Sequence, residues 1–139
     1  IAAENRAAAG GRAALEAHWA EAEPEDMGAF FTEADIAALE GSWSWLAGVA
    51  GQAIEQGSEG YLEDTLAAVR PWGFRLDAIR VPALIMHGAK DKMVPSAHGE
   101  WLAARCPAAE LRVVPDAGHI TVLDSAPEAL AWLAARVRA

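Results

Sequence analysis

Two side chains in this 139-residue sequence have the types and the setting for acid–base chemistry: Asp91 and His119. Asp91 follows Gly88 by three positions, just beyond an apolar run at 81–88 (V-P-A-L-I-M-H-G). His119 directly follows Gly118, just beyond a second run at 110–114 (E-L-R-V-V). If the runs are neighbouring parallel strands, their carboxyl ends bring the two side chains together. The crevice beyond those ends is where open α/β sheets hold their active sites. A carboxylate beside an imidazole fixes the tautomer of a general base and stabilises its imidazolium form. The plainer alternative makes Asp91 a turn cap and His119 a surface loop residue, but their shared place at adjacent strand ends favours the pair. Cys106 is a weaker nucleophile, because it precedes Pro107 at a helix end with no charge beside it to stabilise a thiolate. His87, Asp91, His98 and His119 do not read as a metal site, since His87 lies inside a strand and the His87-to-Asp91 spacing suits a helix. Among the aromatic residues, Trp43 and Trp45, with Met27, Phe30 and Phe31, either line an apolar pocket or pack among themselves. Trp72 and Phe74 are better placed to touch a substrate.

The elements that must position these residues follow from patterning. The run at 81–88, bounded by proline and glycine, fits a strand buried on both faces. Residues 97–105 read as a helix ended by Cys106-Pro107, and 110–114 as a second strand closed by Pro115-Asp116-Ala117-Gly118. Residues 126–137 read as a helix with Pro127 in its first turn and Leu130, Leu133 and Val137 on one face. Strand, helix, strand, helix predicts a βαβ unit with a right-handed crossover. Two such strands do not make a stable sheet alone, so the pattern predicts the edge of a larger parallel sheet.

The first half has another character. Residues 2–22 are alanine-rich and helical by propensity, interrupted at Gly10-Gly11, with a loop at 23–26. Thr32-Glu33-Ala34-Asp35 reads as an N-cap with acids in the first turn of a helix containing Ile36 and Leu39. Residues 43–54 repeat apolar positions at helical spacing, a turn follows at 56–60, and 61–70 form another helix with Leu62, Leu66 and Val69 on one face. No strand is expected before Pro71.

Composition sharpens the division. The chain carries 20 acidic and 11 basic residues, net −9. Residues 1–70 hold 13 acids and 3 bases, whereas 71–139 hold 7 acids and 8 bases, so a boundary falls near Pro71. The acidic balance argues against nucleic acid or an anionic membrane surface as a partner. A single cysteine excludes an internal disulfide. No apolar run approaches the roughly 20 residues that span a bilayer. No secretory leader is visible, so a cytoplasmic location is expected. The chain opens on Ile1 in what reads as mid-helix, the expectation for a processed, truncated or excerpted chain.

The stretch V-P-A-L-I-M-H-G-A-K-D-K-M-V-P (81–95), followed by L-R-V-V-P-D-A-G-H (111–119), resembles the C-terminal part of α/β-hydrolases. In that family V-P-x-L-x-x-x-G-x-x-D carries the triad acid and G-H opens the loop with the triad histidine. The resemblance implies an incomplete α/β domain with residues 1–70 as a helical cap segment and 71–139 as the C-terminal part of the core. It implies Asp91 as acid, His119 as base, and the family order of acid before histidine. Pro71-Trp72-Gly73-Phe74 resembles the return from cap to core. The cap and join aromatics Trp43, Trp45, Trp72 and Phe74 are the implied substrate-binding residues. No metal or organic cofactor is implied, because acyl transfer by a triad needs none.

The chain departs from the family at the nucleophile, which sits there in G-x-S-x-G on a strand-to-helix turn. Ser42 and Ser44 lack flanking glycines, and so do Ser96 and Ser125. Ser58 has Gly60 but Gln56 where the first glycine belongs, and no strand before it. The expectation is therefore the C-terminal piece of a hydrolase that cleaves an ester or related bond in a small molecule. The piece by itself is expected to be inactive. It would pair with an absent N-terminal half or with a second copy of itself. The competing expectation is a non-catalytic module that completes a sheet with another chain.

Overall fold

The computed structural model describes residues 2–22, 26–55 and 57–137. Ile1, residues 23–25 of the loop expected at 23–26, Gln56 of the expected turn, Arg138 and Ala139 lie outside the described residues, as do the side chains of Ile54 and Val137. In chain order the described residues form α1 (Ala2–Ala9), α2 (Arg12–Ala20), α3 (Met27–Phe30), α4 (Glu33–Glu40), α5 (Trp45–Ile54) and α6 (Glu59–Ala68). A 3-10 turn at Leu76–Ala78 leads to β1 (Ala83–Gly88), α7 (Ala97–Arg105) and β2 (Ala109–Val114). A second 3-10 turn, Thr121–Ser125, precedes α8 (Ala126–Val137). The chain divides into two compact units, residues 1–25 with 45–73 and residues 26–44 with 74–139. Residues 26–44 thus belong with the strands, although composition groups them with the acidic first seventy residues.

The first unit is helical. Gly11, at φ 95°, takes the left-handed conformation that breaks the alanine-rich stretch into α1 and α2, as expected of Gly10-Gly11. The turn lets α2 fold back on α1, and Ala8, Leu15, Leu62 and Leu66 form a small core with Ala7, Trp19 and Val69 against it. Trp19 stacks on Tyr61 with ring centroids 5.3 Å apart, and its indole N–H donates to Glu4 Oε1 at 2.9 Å. Arg12 of α2 reaches Glu59 at 2.7 Å and also meets Glu63, both on α6. These groups are exposed, so the apolar core rather than the ion pairs sets the stability of this unit. Leu15 is fully buried, and Leu15→Ala is expected to destabilise the unit by about 2–3 kcal/mol through lost burial and a residual cavity. Urea unfolding followed by the far-ultraviolet circular dichroism of the helices checks this, and an unchanged midpoint would refute it. The helical spacing of 43–54 does yield α5, but not a buried face, since Val49 is 52% exposed.

The second unit is built on β1 and β2, which pair in parallel from Ala83 opposite Ala109 to Gly88 opposite Val114. The strand–helix–strand expectation is met, and α7 links the strands. Side chains alternate across a strand. His87 faces α7, where Gly99 offers so little room that an added Cβ would stand 3.1 Å from His87 Nδ1 and 3.4 Å from Leu111 Cδ1. Leu84 and Met86 face the other way, into an apolar groove of about 400 Å³ shared with Val122, Ala126, Trp132 and Leu133. That groove corrects the expectation of strands buried on both faces: residues 83–87 are only half-buried, and Gly88 alone in β1 is buried. Two strands cannot cover one another's faces, and α8 leaves its own apolar positions open, with Leu130 65% and Leu133 52% exposed. Trp132 of α8 anchors to the sheet through Glu110 Oε2 at 2.7 Å.

Candidate active site

The site lies at the carboxyl ends of β1 and β2. Past Gly88 the chain turns tightly. Ala89 N–H donates to Val114 O at 2.9 Å and Lys90 N–H to Ala117 O at 2.9 Å, tying the loop after β1 to the loop after β2. Gly88 is required there, because a Cβ would collide with the carbonyls of Ala117 and Gly118. The turn then presents Asp91 with its side chain 6% exposed. Asp91 Oδ1 accepts the backbone N–H groups of Met93 at 2.9 Å and Val94 at 2.8 Å, an arrangement in which an aspartate organises its own following turn. Asp91 Oδ2 is left facing His119 Nδ1 at 3.0 Å. The two residues singled out from sequence are therefore in hydrogen-bonding contact.

The geometry assigns the protons. A carboxylate only accepts, so His119 Nδ1 carries the proton that it gives to Asp91, and the lone pair of its Nε2 is free to take a proton from elsewhere. His87 is a neighbour but a different kind of residue. Its Nε2 lies 2.7 Å from the carbonyl of Val94, which makes that nitrogen a donor, and 3.8 Å from Asp91 Oδ2. His87 thus buttresses the Asp91 turn from the strand below. The side chain of His119 is 33% exposed, enough for a reacting molecule to reach it. Phe31 stands beside it with ring centroids 6.2 Å apart.

Asp35, which the sequence marks only as an acid in the first turn of a helix, holds the loop that carries His119. Thr32 caps α4, as the T-E-A-D signal predicts, and the structure adds that Asp35 closes a reciprocal capping box. Asp35 is also fully buried and accepts the backbone N–H groups of His119, Ile120 and Thr121. Burial pushes its carboxyl toward the neutral form. The donors from Thr121 and Thr32 outweigh that and hold it well below the usual carboxylate range. The only sequence signal was Asp35's place as an acid in the first turn of α4, which says nothing about a partner in a distant loop. Gly118 is dictated by the same contact, because a Cβ there would enter the Asp35 carboxylate. Gly118→Ala is expected to destabilise the second unit by about 2–3 kcal/mol and to part His119 from Asp91. Thermal unfolding and a histidine ring NMR spectrum check both effects, and wild-type values in both would refute the prediction.

The other candidate residues are placed as follows. Trp43 belongs to the same unit as the pair and donates its indole N–H to Asp124 Oδ1 at 2.8 Å, in the 3-10 turn after His119. Phe74 belongs to that unit as well and is 60% exposed. Trp45 and Trp72 belong to the first unit and are each more than half exposed. Cys106 is buried at the end of α7. Ser58 opens α6, with no strand ahead of it among the described residues. Among the described residues no three His, Cys, Asp or Glu side chains converge as a metal site, and no helix is long and apolar enough to cross a membrane.

Comparison with known proteins agrees with this architecture. A stretch of 68 residues, 49% of the chain, is 44% identical to the pimeloyl-[acyl-carrier protein] methyl ester esterase of Aromatoleum aromaticum (strain DSM 19018 / LMG 30748 / EbN1). The match covers 27% of that protein, so the chain spans about a quarter of its relative's length. No solved structure matches significantly. Residues 28–126 match the family model of the alpha/beta hydrolase fold. That match takes in both strands, the Asp91 turn, the His119 loop and the segment that carries Asp35, and the chain belongs to the α/β-hydrolase fold family.

Proposed function

We propose that this chain supplies the acid and the base of an ester hydrolase, with Asp91 orienting His119 and His119 acting as general base and then general acid. The observation that carries the reading is the 3.0 Å contact between His119 Nδ1 and Asp91 Oδ2, made while Asp91 Oδ1 is held by two backbone N–H groups. In that arrangement the carboxylate cannot swing away, and it stabilises the imidazolium that forms when Nε2 takes a proton. The proton would come from a nucleophile, or from a water attacking the acyl intermediate, and would pass next to the leaving alcohol. The nucleophile and the oxyanion donors would come from parts of the whole protein outside these 139 residues, with residues 1–70 as a helical cap segment. The relative's name points to methyl esters of acyl chains as the substrate class.

The test is turnover of short-chain methyl and p-nitrophenyl esters by the full-length protein. Saturable hydrolysis that disappears in His119→Ala is expected, with a fluorophosphonate probe labelling a serine other than Ser42, Ser44, Ser58, Ser96 or Ser125. Residues 1–139 alone are expected to show no saturable hydrolysis. Wild-type turnover by His119→Ala would end the proposal. A second reading, a binding module whose sheet is completed by another chain, draws on the open groove beside Leu84 and Met86. Full-length protein that binds a partner chain but neither reacts with the probe nor turns over esters would favour it.

A further inference from the structure

Asp35 touches neither the imidazole of His119 nor the carboxylate of Asp91, yet both of its carboxylate oxygens are fully engaged. Its Oδ1 accepts from Ile120 N at 3.0 Å, Thr121 N at 2.9 Å and Thr121 Oγ1 at 2.9 Å. Its Oδ2 accepts from Thr32 N at 3.0 Å, Thr32 Oγ1 at 2.9 Å and His119 N at 3.2 Å. Three successive backbone N–H groups of the histidine loop thus converge on one buried carboxylate, as they would on a bound anion. The hydroxyls are ordered in turn. Thr121 Oγ1 accepts from Gly118 N at 2.8 Å, and Thr32 Oγ1 accepts from Asp35 N at 3.1 Å, while each gives its one proton to the Asp35 carboxylate.

The same segment also grips the acid loop. Lys92, next to Asp91, donates through Nζ to Gly28 O at 2.9 Å and Phe31 O at 3.1 Å, where α3 gives way to Thr32. Residues 28–35 are therefore fastened to the loop after β1 by Lys92 and to the loop after β2 by Asp35. We propose that Asp35 is a positioning residue that holds the backbone of His119 so that its Nδ1 stays on Asp91 Oδ2 as charge forms on the ring, with Lys92 fixing the opposite loop. This deepens the reading of His119 as general base and rests on it. The role calls for a carboxylate, since an amide of the same shape has one accepting oxygen and would aim its NH₂ at N–H donors on the other side.

Asp35→Asn and Lys92→Met in the full-length protein test the proposal, with ester turnover and the His119 Nδ1–H proton resonance as readouts. His119→Ala identifies the resonance. Asp35→Asn is expected to lower kcat about 10- to 100-fold, the scale of a misplacement near 1 Å. KM is expected to stay within about threefold, and the resonance to shift or broaden. Lys92→Met is expected to act in the same direction by about 3- to 10-fold. If Asp35→Asn does not fold, Thr121→Val removes one donor to the carboxylate and is expected to give a similar small loss with the same spectral change. A folded Asp35→Asn or Thr121→Val with an unaltered His119 resonance overturns the proposal, whatever happens to kcat. Wild-type turnover by His119→Ala overturns the hydrolase reading instead, and the resonance still decides whether Asp35 positions the ring.

Discussion

Asp91→Asn is expected to lower kcat of the full-length protein for esters by about 10⁴-fold with little change in KM. The reason lies in how the two carboxylate oxygens are used. Oδ1 faces the N–H groups of Met93 and Val94, which demand an acceptor. An asparagine at this position therefore keeps its carbonyl oxygen there and turns its NH₂ toward His119 Nδ1. The imidazole responds by moving its proton to Nε2, the nitrogen that must be free to act as base. Side-chain shape and the turn are preserved, so substrate binding is spared while proton transfer fails. Steady-state kinetics on the variant, with a ring ¹⁵N spectrum to read the tautomer, check this. A kcat within tenfold of wild type would show that Asp91 does not set the state of His119.

Asp35→Ala is expected to destabilise the second unit by about 3–5 kcal/mol, because it strands buried N–H groups of His119, Ile120 and Thr121 with no acceptor. Stability should also carry a pH signature. The folded-state pKa of Asp35 is depressed, since the donors from Thr121 and Thr32 overcome the opposing effect of burial. Its contribution is therefore fully present above the ordinary aspartate value of about 3.9 and fades as pH falls below it toward the folded pKa. The gap in stability between wild type and Asp35→Asn should shrink between neutral pH and about pH 3. Urea midpoints of both proteins at the two pH values measure it. A gap of constant size would mean that the charge of Asp35 contributes nothing.

Much of the second unit was legible because its punctuation is local. Pro82 and Gly88 bound β1, Ser96 and Cys106-Pro107 bound α7, and Pro127 opens α8, each acting on backbone conformation within a few residues. The Asp91–His119 contact was legible for a related reason. Two short runs joined by one helix pair in parallel, and parallel pairing puts both carboxyl ends on one edge. The N-cap at Thr32, with acids in the first turn, could be read from spacing as well.

Burial and long-range partnership were not legible. The apolar runs of β1 and α8 look the same whether a neighbouring element covers them or not, and here Leu130 and Leu133 are open. Nothing in T-E-A-D distinguishes an acid that serves only its own helix from one that also receives the N–H groups of a loop 84 residues later. Residues 26–44 read as part of the acidic first half because charge is counted along the chain. Three contacts across long stretches of chain place them elsewhere: Asp35 to the His119 loop, Lys92 to Gly28 and Phe31, and Trp43 to Asp124. Sequence alone determined the longer helices, the two strands, their pairing and the meeting of Asp91 with His119 at its edge, since these follow from backbone propensity and parallel geometry. Only the tertiary structure decided what holds the His119 loop in place. A buried carboxylate takes its role from the donors that converge on it, and beyond the local ones of Thr32 these come from a loop whose direction no local pattern encodes.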